Sequence, residues 1–364
     1  MKKLLALISL SILLLTGCES DDDNNTPSIP DSYNFENVDY SGQTDRLNQL
    51  AALTFYAKSV VGGERISAQA MKDMFTNEGG NGGGYFSFTS TKQLADKCAP
   101  GYADMMNSLF DNFEEDASTL VAGSDGVAGT IETNTGTTYF FDENGYEYAQ
   151  LIDKGIMGGC FMHQIQNVYL GVDKMTANNE SNTEGKNYTD MEHHWDEAFG
   201  YFGAGTNWPT DTEGERFWAK YAWKMSSEIT GGAYDCPNTI MDAFIAGRFA
   251  ITQKDYEERD AQIAIIREQL EYISAGTAIH YLNSAISGYT DTSARLHYLS
   301  EALEFINALK YIYPTTRIIT NDQINETLNS LQQENFYNLS LQQIQTTKNI
   351  LSNVYGFQNF ADQL

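Results

Sequence analysis

Cysteine is scarce: four in 364 residues, one of which, Cys18, directly follows an apolar N-terminal leader. The other three, Cys98, Cys160 and Cys236, are an odd number, so at most one disulfide forms. Cys98 and Cys236 stand in loop-like contexts (Lys-Cys-Ala-Pro and Asp-Cys-Pro-Asn) and make the better pair. Cys160 lies in an apolar stretch and reads as a small core residue. Without a Cys-x-x-Cys, dithiol redox chemistry and cysteine-ligated zinc are disfavoured. Bases are also few, 22 against 49 acids, for a net charge of −27. Such a field repels nucleic acid and anionic headgroups, so neither is an expected partner. Catalytic signatures are missing too. There is no His-Glu-x-x-His and no Gly-x-Ser-x-Gly, and the glycine run at 79–84 lacks both the Lys-Ser/Thr ending and the preceding buried strand of a phosphate loop. With so many acids, a carboxylate pair carries no information about glycosidase chemistry.

The longest apolar run, residues 4–15, is shorter than the ~20 residues a membrane-spanning helix needs. It follows Lys2 and Lys3 and ends in Leu-Thr-Gly-Cys at 15–18, which is a signal-peptide pattern. Those four residues resemble the bacterial lipobox. The resemblance implies cleavage before Cys18 and a lipid on its thiol, so that the chain is anchored to a bilayer rather than spanning it. Residues 19–32, ESDDDNNTPSIPDS, have no apolar periodicity and read as a disordered tether. Their acidic run resembles the signal that sends Bacteroidetes lipoproteins to the outer cell surface. The implied location is the outer membrane, at the cell surface or on the periplasmic face.

Beyond the tether, apolar spacing predicts helices over 44–61, 102–121, 148–177, 238–252, 256–287 and 292–312, the last stopped by Pro314. Thr189-Asp-Met-Glu192, Thr212-Glu-Gly-Glu215 and Ser340-Leu-Gln-Gln343 are capping-box patterns, each expected to open a helix. Glycine-rich loops interrupt at 78–92 and 123–147, and Thr137-Thr-Tyr-Phe-Phe141 in the second suits a short β-hairpin. The expected fold class is all-α: a helical bundle with room for two pseudo-repeated bundles, Gly-rich loops and one hairpin. The expected organisation is a signal peptide at 1–17, a lipidated tether at 18–32, an N-terminal helical half at 33–205 and a C-terminal half at 206–364. The boundary sits at the 203–209 break, and a single domain over 33–364 is the alternative.

Five histidines, none in the first 160 residues, carry most of the chemical signal. His193 and Glu197 are four apart and His194 and Glu197 three apart on the helix expected after Thr189, so either pair can address one site. His297 and Glu301 repeat the four-residue spacing. The segment His193-x-x-x-Glu197-Ala-Phe aligns with His297-x-x-x-Glu301-Ala-Leu, and a Gly-x-x-x-His precedes each, ending at His163 and His280. This weak repeat fits a pseudo-duplicated bundle. Imidazole and carboxylate at helical spacing suit iron, zinc or manganese, so the candidate metal ligands are His193, His194, Glu197, His297 and Glu301, with His163 and His280 weaker. The bland alternative is that these groups pair locally as core or surface residues.

The segment Glu192-His-His-Trp-Asp-Glu-Ala-Phe-Gly-Tyr-Phe-Gly203 resembles a domain of unknown function found in Bacteroidetes lipoproteins, over about residues 33–364. It is also similar to the imelysin-like proteins, marked by Gly-x-His-x-x-Glu. His194-Trp-Asp-Glu197 matches the His-x-x-Glu part, while Glu192 stands where that family has Gly. The imelysin resemblance implies a two-bundle helical fold, a metal (iron or another divalent transition ion) at His194 and Glu197, and a role in iron uptake. The expected function is an envelope lipoprotein of a metal-related uptake system, non-enzymatic, working with an outer-membrane transporter or another uptake lipoprotein. The alternative is a lipoprotein that captures carbohydrate or peptide on its abundant Tyr and Phe side chains.

Overall fold

The computed structural model describes residues 28–229, 234–333, 335–359 and 361–364. The expected leader, Cys18 and most of the expected tether lie outside them. Helix makes up 60% of the described residues and the only sheet among them has two strands, so the fold is an all-α bundle.

The first layer is α1 (Ser41–Lys58, prolonged by a 3-10 turn, Ser59–Gly62), α2 (Ala68–Thr76) and α3 (Tyr102–Asp116). The hairpin follows: β1 (Gly129–Glu132) pairs antiparallel with β2 (Thr138–Phe141), Gly129 opposite Phe141 and Glu132 opposite Thr138. The expected aromatic run supplies β2. Next come α4 (Tyr148–Ile156), α5 (Val172–Met175), α6 (Asp190–Phe202) and α7 (Phe217–Trp223). The rest is α8 (Cys236–Gln253), α9 (Tyr256–Ser287), α10 (Thr292–Ala308), α11 (Asn321–Leu331) and α12 (Leu341–Tyr355).

Caps set most of these starts. Thr189 and Ser340 close the expected capping boxes, and Thr320 with Gln323 closes one more. Thr212-Glu-Gly-Glu215 does not open a helix. Gly214 takes a left-handed φ of 77° inside a turn, and the Glu215 carboxylate accepts the Trp208 indole N–H at 2.7 Å instead of folding back on a cap. Helix α7 starts only at Phe217. The long apolar segment is also not one α-helix: α4 runs on through two π-helical turns, Met157–Met162 and Gln164–Tyr169, then breaks before α5. Helix α3 stops at Asp116, five residues before the expected end.

One core runs through the molecule, holding Trp195, Trp208 and Trp218 fully buried. Helix α9 is its spine, with α8, α10 and α12 packed along it. Helix α4, from the expected N-terminal half, packs along α10 from the C-terminal half, and the Trp218 indole donates to the Met157 carbonyl at 3.1 Å. The core therefore has no seam at 205/206. The cysteine expectation needs correction: Cys98, Cys160 and Cys236 are free thiols. Cys98 and Cys160 both point at the Leu94 carbonyl and lie beside each other, while Cys236 is buried at the start of α8, so Cys98 and Cys236 are not partners.

Candidate functional site

Much of the sequence Glu192–Glu197 on α6 is structural. Glu192 is the third residue of the capping box: its carboxylate accepts the Thr189 N–H at 2.9 Å and the Arg248 guanidinium at 2.8 Å. Asp196 takes the same guanidinium at 3.0 Å and the Tyr33 hydroxyl at 2.7 Å. The Trp195 indole donates to the Phe244 carbonyl. Glu192 thus holds a buried arginine and a helix start together.

Of the other three, His194 and Glu197 are hydrogen-bonded, and His193 lies beside them. Glu197 accepts from the Gln43 amide and the Tyr169 hydroxyl, each at 3.0 Å, and lies 3.0 Å from His194 Nδ1 and 4.0 Å from His193 Nε2. Burial would raise the Glu197 pKa, but the His194 hydrogen bond, the His193 charge and the two neutral donors together lower it. His193 stacks on Tyr188 at 4.6 Å between ring centroids. Glu197 therefore ties α1, α6 and the second π turn to one another.

His297 and Glu301 on α10 belong to a different cluster, which shares no residue with the first. His297 Nδ1 is 2.5 Å from Glu147 Oε2, and its Nε2 is 3.4 Å from Glu301 Oε2. Burial opposes charge on this ring, yet the Glu147 hydrogen bond and the two carboxylates prevail and raise its pKa. The Lys154 ammonium lies 3.8 Å from Glu301 and 2.5 Å from Asp153, whose other oxygen accepts the Thr54 hydroxyl. His163 is half-buried 6.4 Å from the Tyr311 ring, and His280 lies against Tyr281 on α9. Among the described residues, His163 joins neither cluster.

These residues do not fit a preformed metal centre. Among the described residues, no three His, Cys, Asp or Glu side chains converge as ligands. Each candidate carboxylate already has a donor, and Lys154 supplies the positive charge beside Glu301 that a dication would bring.

His297 and Glu147 instead border a cavity of about 220 Å³ beneath the hairpin. Its walls are mainly apolar: Ala57, Val60 and Val61 at the end of α1, Phe113 of α3, and Tyr139 and Phe140 of β2. The Tyr139 ring stacks on His297 at 4.2 Å, nearly parallel, and burial pushes the Tyr139 hydroxyl up to about 12. Gln150 also lines the cavity. Its NH₂ faces Glu147 at 3.5 Å, which fixes the amide orientation, and its Oε1 is buried with no hydrogen-bond partner. An orphaned buried acceptor costs about 1–3 kcal/mol until a donor reaches it. Sequence reasoning missed Glu147, Gln150 and Lys154. Glu147 lies 150 residues from His297, and only the aromatic run of β2 marked the region.

The family model described as Domain of unknown function (DUF4856) matches residues 30–358. No curated protein and no solved structure matches the chain. The match spans every helix and both strands described above, and the chain belongs to the DUF4856 family.

Proposed function

We propose that this protein is a lipid-anchored envelope protein that captures a small, mostly apolar ligand bearing an O–H or N–H donor in the cavity beneath the hairpin. The mostly apolar and aromatic wall of that cavity carries this reading, and Gln150, a lining residue, has a buried Oε1 with no hydrogen-bond partner that a donor could satisfy. Size agrees: an apolar cavity of about 150 Å³ takes benzene, so about 220 Å³ suits a substituted aromatic ring or a short branched chain. Binding is favoured over catalysis, since both nitrogens of His297 face carboxylates and neither is left to move a ligand proton. Anchoring rests on the lipobox-like residues before Cys18 and the tether after it. No helix of the described residues is long and apolar enough to cross a membrane. An outer-membrane transporter that receives the ligand is the partner class this reading implies.

The experiment compares phenol with toluene by calorimetry, on the full chain and on Gln150→Leu. The full chain should prefer phenol, and the variant should lose that preference while keeping toluene. Equal affinity for both molecules in the full chain would refute the role of Gln150.

The metal-uptake reading, through His193, His194, Glu197, His297 and Glu301, rests on their helical spacing and on imidazole and carboxylate being ligand types that transition ions accept. Elemental analysis after incubation with iron, zinc or manganese tests it. Stoichiometric metal lost in His297→Ala would support this second reading over the first.

A further inference from the structure

One to two turns further along α4 lies a second concavity, an open groove of about 380 Å³ between α1, α4 and α7. Four cations line it: Lys58, Lys154, Arg216 and Lys220. Only two acids do, and both are engaged. Asp153 holds Lys154 and the Thr54 hydroxyl, and Glu215 accepts the Trp208 indole N–H. Among the described residues, Lys58, Lys220 and Arg216 make no salt bridge, and the Arg216 guanidinium meets only the neutral Asn48 amide oxygen, at 2.5 Å.

That arrangement runs against the composition. A chain with 49 acids and 22 bases has carboxylates to spare for pairing, and most of its surface potential is negative. Gathering three unpaired cations around one hollow costs mutual repulsion, and an anion in the hollow removes that cost. Arg216 is half-buried, and burial lowers its pKa. The residue after it, Phe217, has a left-handed φ of 50°, a strained value for a bulky side chain that turns the chain into the groove wall.

The remaining lining is mainly apolar. Met157, Phe217 and Tyr221 form the floor, and Phe55 stands at the rim with 80% of its surface exposed. A large aromatic left in water beside cations is suited to pack on the apolar body of an amphiphile.

We infer that this groove binds a small organic anion, a carboxylate or phosphate carried on an aromatic or acyl body, with Lys58, Lys220 and Arg216 taking the charge and Phe55 and Phe217 the body. The inference does not rest on the hairpin cavity: the two hollows share only Lys58.

The test titrates the full chain with phenylacetate and phenyl phosphate, and with phenylacetamide and inorganic phosphate as partial probes. Both amphiphilic anions should bind, and the neutral amide should bind at least about tenfold more weakly. Raising the ionic strength from about 0.01 to about 1 M shortens the screening length from ~30 to ~3 Å and should weaken both anions. Lys220→Glu reverses a charge on a surface residue of α7. It should cost about tenfold or more in anion affinity with the melting temperature unchanged, and Phe55→Ser should weaken the amphiphiles but not inorganic phosphate. Gln150→Leu should change nothing here, which separates this site from the hairpin cavity. No anion binding, equal binding of acid and amide, or an affinity insensitive to Lys220→Glu would overturn the inference. Inorganic phosphate binding as tightly as phenyl phosphate would overturn the part assigned to Phe55 and Phe217.

Discussion

Arg248 shows how single residues carry this fold. Its guanidinium is wholly buried, and it bonds Asp196, Glu192, Thr252 and Asn37 at 2.7–3.0 Å. Removing one partner of such a set strands the others without water or countercharge. Arg248→Met should therefore cost about 3–5 kcal/mol, read by urea denaturation, and should loosen the segment around Tyr33 and Asn37. His297 is a second case. Its pKa is raised on folding, so its contribution is complete below the unfolded value of about 6.5 and is lost as pH rises through the folded value. The stability gap between the full chain and His297→Gln should be on the order of 2 kcal/mol near pH 6 and should shrink steadily at higher pH. A constant gap would mean that the ring charge does not matter. At this scale the sequence was half legible. His193, His194, Glu197, His297 and Glu301 stand out in the sequence as candidate metal ligands, because histidine is rare here and their spacing is helical. Their partners, Gln43, Tyr169, Glu147 and Lys154, come from other elements, and helical spacing carries no information about which element packs opposite.

Among the elements, starts were readable where a side chain caps the helix, as at Thr189 and Ser340. They were unreadable where Gly214 placed a left-handed turn inside an apparent capping box. The π turns after α4 were invisible as well, since their apolar pattern resembles that of an ordinary buried helix. Gly159 sits in the first of them, and a Cβ there would lie 2.3 Å from the Tyr102 ring. Overpacking of that kind costs about 1–3 kcal/mol, against at most ~1 kcal/mol gained in helix propensity. Gly159→Ala should therefore destabilise, seen as a lower urea midpoint with an unchanged slope. A raised midpoint would mean that Tyr102 moves aside freely.

For the molecule as a whole, composition and periodicity were enough to give an all-α bundle, and a hairpin was expected where one is found. The division at 205/206 came from a local break in the chain, and local breaks do not report packing. Helix α4 lies along α10 and the core is continuous, so residues 33–205 and 206–364 expressed apart should each fail to fold, while the full chain should melt in one transition by both circular dichroism and tryptophan fluorescence. Two separate transitions would restore the two-domain reading. The same packing brings the hairpin over the end of α1 and closes the cavity on which the proposed function depends. The most direct test of that function is the stabilisation of the full chain by phenol, measured beside Val61→Trp, which places a large ring at the half-exposed edge of the cavity. The account predicts a phenol-dependent rise in melting temperature that disappears in Val61→Trp; no rise in the full chain, or the same rise in both proteins, would contradict it.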